Sequence, residues 1–169
     1  MKTTRTLFII LLIAFNIAAD QISKWIVRTS MVEGRAGEID VFGDYFQLIW
    51  VENKGAFLGM GSDMNPTLKL IFLLILPTLV LGYVLYYIFK TRSLDRLSLI
   101  AFCCIVGGGI ANVFDRIVYG QVTDFMYIEL TNVLKTGIFN IADVSVTTGM
   151  IILIFSNFFS KKKKEPVVA

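Results

Sequence analysis

The chain has 169 residues, 56% hydrophobic and 17% charged, where soluble domains run at about 45–50% and about 25%. A mean hydropathy of +0.71, with the apolar residues gathered into blocks of about 20, argues against a water-soluble globule. The net charge of +3 is no nucleic-acid footprint, because four of the sixteen cations are the terminal run Lys161, Lys162, Lys163 and Lys164, a pattern suited to a membrane surface. Histidine is absent, which removes the Ser-His-Asp triad, the Cys-His pair and the commonest metal ligand. Cys103 and Cys104 are adjacent within an apolar run, lack any zinc or CxxC spacing, and read as small buried hydrophobes.

Taken along the chain, four stretches are long and apolar enough to cross about 30 Å of hydrocarbon as helices: residues 4–27, 67–89, 97–118 and 138–159. The first has a signal-peptide look, with Lys2 and Arg5 ahead of an apolar core ending at Ala18 and Ala19. The apolar pattern resumes at Ile22, Trp25, Ile26 and Val27, which favours a retained helix. Nine of the sixteen cations flank these spans on one side: Lys2, Arg5, Lys90, Arg92, Arg96 and the four terminal lysines. That bias puts both termini in the cytoplasm and residues 29–66 and 119–137 outside. Within the longer outer segment, EIDVFGDYFQLIWVE is dense in β-formers around a Gly43-Asp44 turn, so a short β-ribbon on the membrane surface is expected. Its aromatics serve as interfacial anchors or line a substrate path. The expected fold is an all-α membrane protein, a single domain over 1–169 with four transmembrane helices and a small β-rich extracytoplasmic segment.

Polar side chains are costly inside spans, so their positions carry most of the information. Asn16, Asp20 and Lys24 share one face of the first helix; Gly108, Asn112 and Arg116 share one face of the third; Asn140, Asp143 and Thr147 fall at helical spacing in the fourth. The second has no such stripe and is expected to face lipid. Asp20 and Asp143 each stand about five residues, or about 8 Å, from the outer end of their predicted helix. Asp124 returns to that level after the turn through Tyr119 and Gly120. The topology therefore gathers Asp20, Arg116, Asp124 and Asp143 at one side of the membrane. Asp20 and Lys24 read as a helix-surface ion pair, and Gly107, Gly108 and Gly109 as a close-packing surface rather than a phosphate loop.

Without histidine, two carboxylates sharing one proton could activate water and protonate a carbonyl. Asp124 and Asp143 are the candidates, in the contexts TDFM and NIADVS. The alternative is that the two are separately solvated or cap helices. A serine-lysine pair is a weaker option, since Ser23 and Lys24 point apart on a helix and Ser145 has no lysine nearby.

The segments AADQISKWIV, VENKGAF, GGGIANVFDRIVYGQVTDFM and FNIADVSVTTG resemble, in order and spacing, the lipoprotein signal peptidase family, also called signal peptidase II or prolipoprotein signal peptidase. The resemblance implies an intramembrane aspartic endopeptidase of the bacterial cytoplasmic membrane, cutting a prolipoprotein before its diacylglyceryl-modified cysteine. By position it implies Asp124 and Asp143 as the catalytic pair. Asn112, Arg116 and Asn140 match polar residues around that centre, and Asp20, Lys24, Asn53 and Gly55 match further motif positions. Lys54 and Phe57 depart from the family, where many members have Thr and a second Ala. The expected partners are the lipidated precursor and membrane lipids, with the protein monomeric and no metal, organic cofactor or nucleic acid required. A competing class is a small proton-coupled transporter or relay subunit.

Overall fold

The computed structural model describes residues 2–56, 59–131 and 133–162, with the side chains of residues 2, 3 and 157–162 left aside. Four helices carry the fold. Helix α1 is Lys2–Ser30, α2 Pro66–Lys90, α3 Arg96–Tyr119 and α4 Ile141–Lys162. Among the described residues, three (α1, α2 and α3) are long and apolar enough to span a membrane, while the apolar part of α4 is the shorter Ile141–Ser156.

The helix ends follow local chemistry. Asn65 caps α2 by accepting from the Thr67 N–H at 2.8 Å, with Pro66 in the first turn. Asp95 caps α3 through the Ser98 N–H at 3.0 Å, and Gly120 ends it at φ +73°, a left-handed conformation that favours glycine. Helix α2 widens into a π-helical stretch over Leu70–Ile75, just before Pro77, whose ring offers no N–H and crowds the preceding turn. Two expected boundaries move. Helix α1 continues unbroken past Ala18 and Ala19 to Ser30, leaving Asp20 ten residues from its end. Helix α4 starts at Ile141 because Phe139 is still extended, bridged antiparallel to Met126, and Asn140 caps the helix, so Asp143 lies in its first turn rather than five residues in.

A three-stranded antiparallel sheet closes the end of the bundle where Asp20 and Asp143 lie. Strands β1 (Ile39–Asp40) and β2 (Phe46–Asn53) are the expected ribbon, with Ile39 opposite Leu48 and Gly43 in the turn at φ +52°. The third strand, β3 (Val122–Ile128), pairs with β2 with Val51 opposite Asp124. Residues 119–137 are thus more than an outer connection: VTDFMYI forms an edge strand of the sheet and is mostly buried.

The bundle is turned inside out relative to a soluble protein. Phe15 on α1 is 68% exposed, whereas Asp20, Lys24 and Asp115 are each 0% exposed. Apolar exterior and paired charges within are what a hydrocarbon solvent selects. One half of the interior is apolar, built on Ile9, Ile88, Leu99, Cys103 and Val106, and the other is polar.

Helix α3 is central, packing on α4, α1 and α2, and three consecutive glycines permit it. A Cβ on Gly107 would meet Asn16 of α1 at 2.6 Å, one on Gly109 would meet Leu81 of α2 at 2.5 Å, and one on Gly108 would strike the Ala142 carbonyl of α4. Steps of about 100° per residue point the three toward three different neighbours. Gly149 returns the contact from α4, where a Cβ would meet the Ala101 carbonyl at 2.6 Å. By contrast a Cβ at Gly82 meets nothing within 4 Å. Gly108→Ala is therefore expected to destabilise by about 1–3 kcal/mol, since a backbone carbonyl cannot swing aside. Gly109→Ala should cost less, because it presses on a leucine tip, and Gly82→Ala should be neutral or stabilising by up to about 1 kcal/mol. Thermal unfolding of the three purified variants checks the order; equal melting temperatures would contradict it.

Candidate active site

The site is assembled around Asn140, the fully buried cap of α4. Its Oδ1 accepts from the Asp143 N–H at 2.9 Å, while Asp143 Oδ2 accepts from the Asn140 N–H at 3.2 Å. This reciprocal capping arrangement fixes the first turn and the Asp143 rotamer together. The Asn140 side-chain amide then donates to Asp124 Oδ1 at 2.6 Å and to Asn112 Oδ1 at 3.1 Å. Asn112 donates in turn to Asp143 Oδ1 at 2.9 Å. Both carboxylates are thus bonded to one residue, and two asparagine amides tie them to α3.

Asp124 is held from the opposite side by Asn53 at the end of β2, whose Nδ2 donates to its Oδ2 at 2.9 Å. The Asn53 Oδ1 accepts from the Gly55 N–H at 2.8 Å, and its Nδ2 also reaches the Ala56 carbonyl at 3.0 Å. The loop doubles back so closely that a Cβ on Gly55 would lie 2.5 Å from the Met60 carbonyl. Arg116 stitches the loop to α3 by donating to the Gly55 carbonyl at 2.9 Å. Burial in this low-polarity setting lifts the Asp124 carboxyl to about 7; the Asn53 bond opposes the rise and the neighbouring Asp143 charge adds to it.

Behind the pair lies a buried ionic cluster. Lys24 Nζ stands 2.7 Å from Asp20 and 2.8 Å from Asp115, and donates to Asn112 Oδ1 at 2.9 Å. Asp20 Oδ1 accepts from the Ala142 N–H at 2.8 Å, placing a carboxylate at the positive end of α4. The pair expected on the helix surface is therefore internal and joins α1, α3 and α4. Lys24 has its donors directed to these partners, and Ser145 hydrogen-bonds to Asn16 and to the Cys104 carbonyl. Neither arrangement suits a serine-lysine mechanism.

All nine residues singled out beforehand, Asp20, Lys24, Asn53, Gly55, Asn112, Arg116, Asp124, Asn140 and Asp143, meet in this one network. The helix-capping alternative also holds for Asp143, which caps and faces open space at once. A cavity of about 370 Å³ beside Thr136, Phe139 and Thr148 reaches Asp143, as does one of about 680 Å³ between α2 and α4. Asp124 lines a third, of about 430 Å³, with Glu52, Asn53 and Lys54. Lys54 thus borders the centre, while Phe57 lies outside the described residues.

Asp115, expected to turn away from Arg116 toward another partner, does so, but sequence reasoning missed its partners Gln21 and Arg28 and the outer supports Thr123 and Glu52. Asp115 accepts from Gln21 at 2.9 Å and faces Arg28 at 3.4 Å. The Arg28 guanidinium lies 4.0 Å over the Tyr119 ring and donates to Thr123 Oγ1 at 2.8 Å, which itself donates to Glu52 at 2.8 Å. Gln21 and Arg28 lie one and four residues beyond Asp20 and Lys24, so continuing the α1 stripe one turn would have found Arg28. Thr123 and Glu52 face one another only through the β2–β3 register, which no local pattern displays.

Residues 12–159 match the model of the family described as signal peptidase (SPase) II. A lipoprotein signal peptidase of Borrelia duttonii (strain Ly) is 34% identical over 93% of this chain and 91% of its own. That of Clostridium novyi (strain NT) is 36% identical over 85% and 93%. A solved structure described as a bacterial membrane enzyme superposes with a TM-score of 0.82 and 26% identity, covering 96% of this chain and 94% of the other. With the family model spanning most of its length and two such relatives beside it, the chain belongs to the signal peptidase II family.

Proposed function

We propose that this chain removes signal peptides from prolipoproteins as an aspartic endopeptidase, with Asp124 and Asp143 as its catalytic pair. One observation carries the reading: two acids from separate elements share the Asn140 bridge while cavities open onto each. Near neutral pH the pair holds one proton, which belongs to both carboxyls together. The ionised member removes a proton from water as the oxygen attacks the scissile carbonyl, and the protonated member donates to the carbonyl oxygen. The tetrahedral intermediate collapses with the proton passing to the departing amine. Asn112, Asn140 and Asn53 fix the two carboxyls, and Arg116 positions the loop carrying Gly55. Lys24 and Asp20 hold the helices that carry these groups.

In this reading α4 is a fourth span, the whole chain is one integral membrane domain, and it works as a monomer in the bacterial cytoplasmic membrane. Both termini are cytoplasmic and the pair sits near the outer leaflet. The cation bias of the sequence supports the orientation, and the apolar groove between α2 and α4, ending at Asn112, Arg116 and Asp143, suits a precursor whose diacylglyceryl chains stay in the bilayer while its peptide crosses the pair. A proton relay would need titratable groups through the depth of the bundle. Residues 6–15 of α1 and 144–160 of α4 contain no Asp, Glu, Lys or Arg, so that alternative is not favoured.

Asp124→Asn and Asp143→Asn should each lower cleavage of a diacylglyceryl-modified precursor by about 10²–10⁴-fold or more, with thermal unfolding unchanged within a few degrees. Turnover retained in both variants would remove the mechanism. The pH profile has a definite sign: a carboxyl lifted to about 7 keeps its proton below that pH and loses it above. The kcat/KM should therefore fall about tenfold per pH unit beyond the neutral region, and a flat profile to pH 9 would contradict the one-proton pair.

A further inference from the structure

At the opposite end of the bundle from Asp124 and Asp143 lies a further cavity of about 500 Å³, separate from the three that reach those residues. Arg5 begins it on α1, fifteen residues and about 22 Å of helix rise before Asp20. Its Nη2 donates to the Ile88 and Thr91 carbonyls, both at 3.0 Å, closing the end of α2. The walls are Phe8, Leu94 and Leu99, and the mouth carries Arg92 and Arg96. Both mouth arginines are exposed. Neither has an ion-pair or hydrogen-bond partner among the described residues. The acid beside them, Asp95, directs Oδ1 to the Ser98 N–H at 3.0 Å as the cap of α3. Arg5, Arg92 and Arg96 against Asp95 leave a local charge of +2.

An apolar slot with unpaired guanidiniums at its rim, at the end of a helix bundle immersed in lipid, has the chemistry of a phosphodiester joined to an acyl chain. Guanidinium forks match phosphate oxygens in geometry as well as charge, and basic pockets between membrane helices recognise anionic head groups. A zwitterionic head group would bring its own cation against the arginines. We propose that this cavity binds one anionic glycerophospholipid, its phosphate on Arg92 and Arg96 and one acyl chain along Phe8, Leu94 and Leu99. The site clamps the α2–α3 connection to α1, remote from the peptidase centre, and it requires only the membrane reading.

The test is native mass spectrometry of the detergent-purified full chain, titrated separately with phosphatidylglycerol, with phosphatidylcholine of the same acyl chains, and with inorganic phosphate. Wild type is expected to hold one phosphatidylglycerol at least about tenfold more tightly than phosphatidylcholine. Arg92→Gln/Arg96→Gln should weaken phosphatidylglycerol on the order of 25-fold, about fivefold per cation, with phosphatidylcholine binding and melting temperature unchanged. Arg92→Gln alone should give about fivefold. Equal phosphatidylglycerol binding by wild type and the double variant, or no preference over phosphatidylcholine, would overturn the site. Inorganic phosphate displacing phosphatidylglycerol at equal concentration would overturn the lipid as occupant.

Discussion

The buried Lys24 ammonium is the interaction on which the rest of the architecture depends. It lies within 2.9 Å of Asp20, Asp115 and the Asn112 side-chain oxygen, in a region walled by apolar helices. Two acids, Lys24 and the adjoining Arg28 sum to zero charge, so the cluster survives where a lone ion would not. Removing one partner from such a cluster typically costs about 3–5 kcal/mol, because the others are left charged and dry. Its strength is also its geometric value: α1, α3 and α4 cannot slide past one another without separating buried charges.

That constraint passes directly to the two carboxylates. Lys24 orients Asn112, Asn112 holds Asp143, and Asp20 holds the first turn of α4 through the Ala142 N–H. The glycine contact at Gly108 brings α3 against that same residue of α4. Asp124 arrives from a different element, on a strand whose partner β2 supplies Asn53. Helix packing, capping and sheet register therefore converge on one buried asparagine, Asn140. The opposite half of the bundle has an apolar core and a cationic rim, so one end is held by apolar packing and the other by buried charges and hydrogen bonds.

The polar stripes were legible in the sequence because hydrocarbon makes each buried polar group expensive, and repeats such as Asn16-Asp20-Lys24 and Asn112-Arg116 stand out against leucine and phenylalanine. The β2 ribbon was legible for a similar reason, in its run of β-formers. Strand β3 was not: VTDFMYI follows a helix end directly and is stabilised by pairing with β2, a long-range contact with no local signature. Asp143 lies nearer its helix end than the spacing predicts because Asn140, three residues before it, caps the helix instead of joining it. The Lys24–Asp115 contact was hidden too, since Asp115 neighbours Arg116 in sequence while turning to another helix.

In the mechanism proposed above, Asp124 and Asp143 act as one acid holding a single proton at neutral pH. Infrared difference spectroscopy of protein with isotope-labelled aspartate reads this directly, through the carbonyl stretch of a protonated carboxyl. The account predicts one such band at pH 7 that titrates near neutrality and is lost when either Asp124 or Asp143 is replaced by Asn. A band unchanged in both variants, or no band at pH 7, would contradict it.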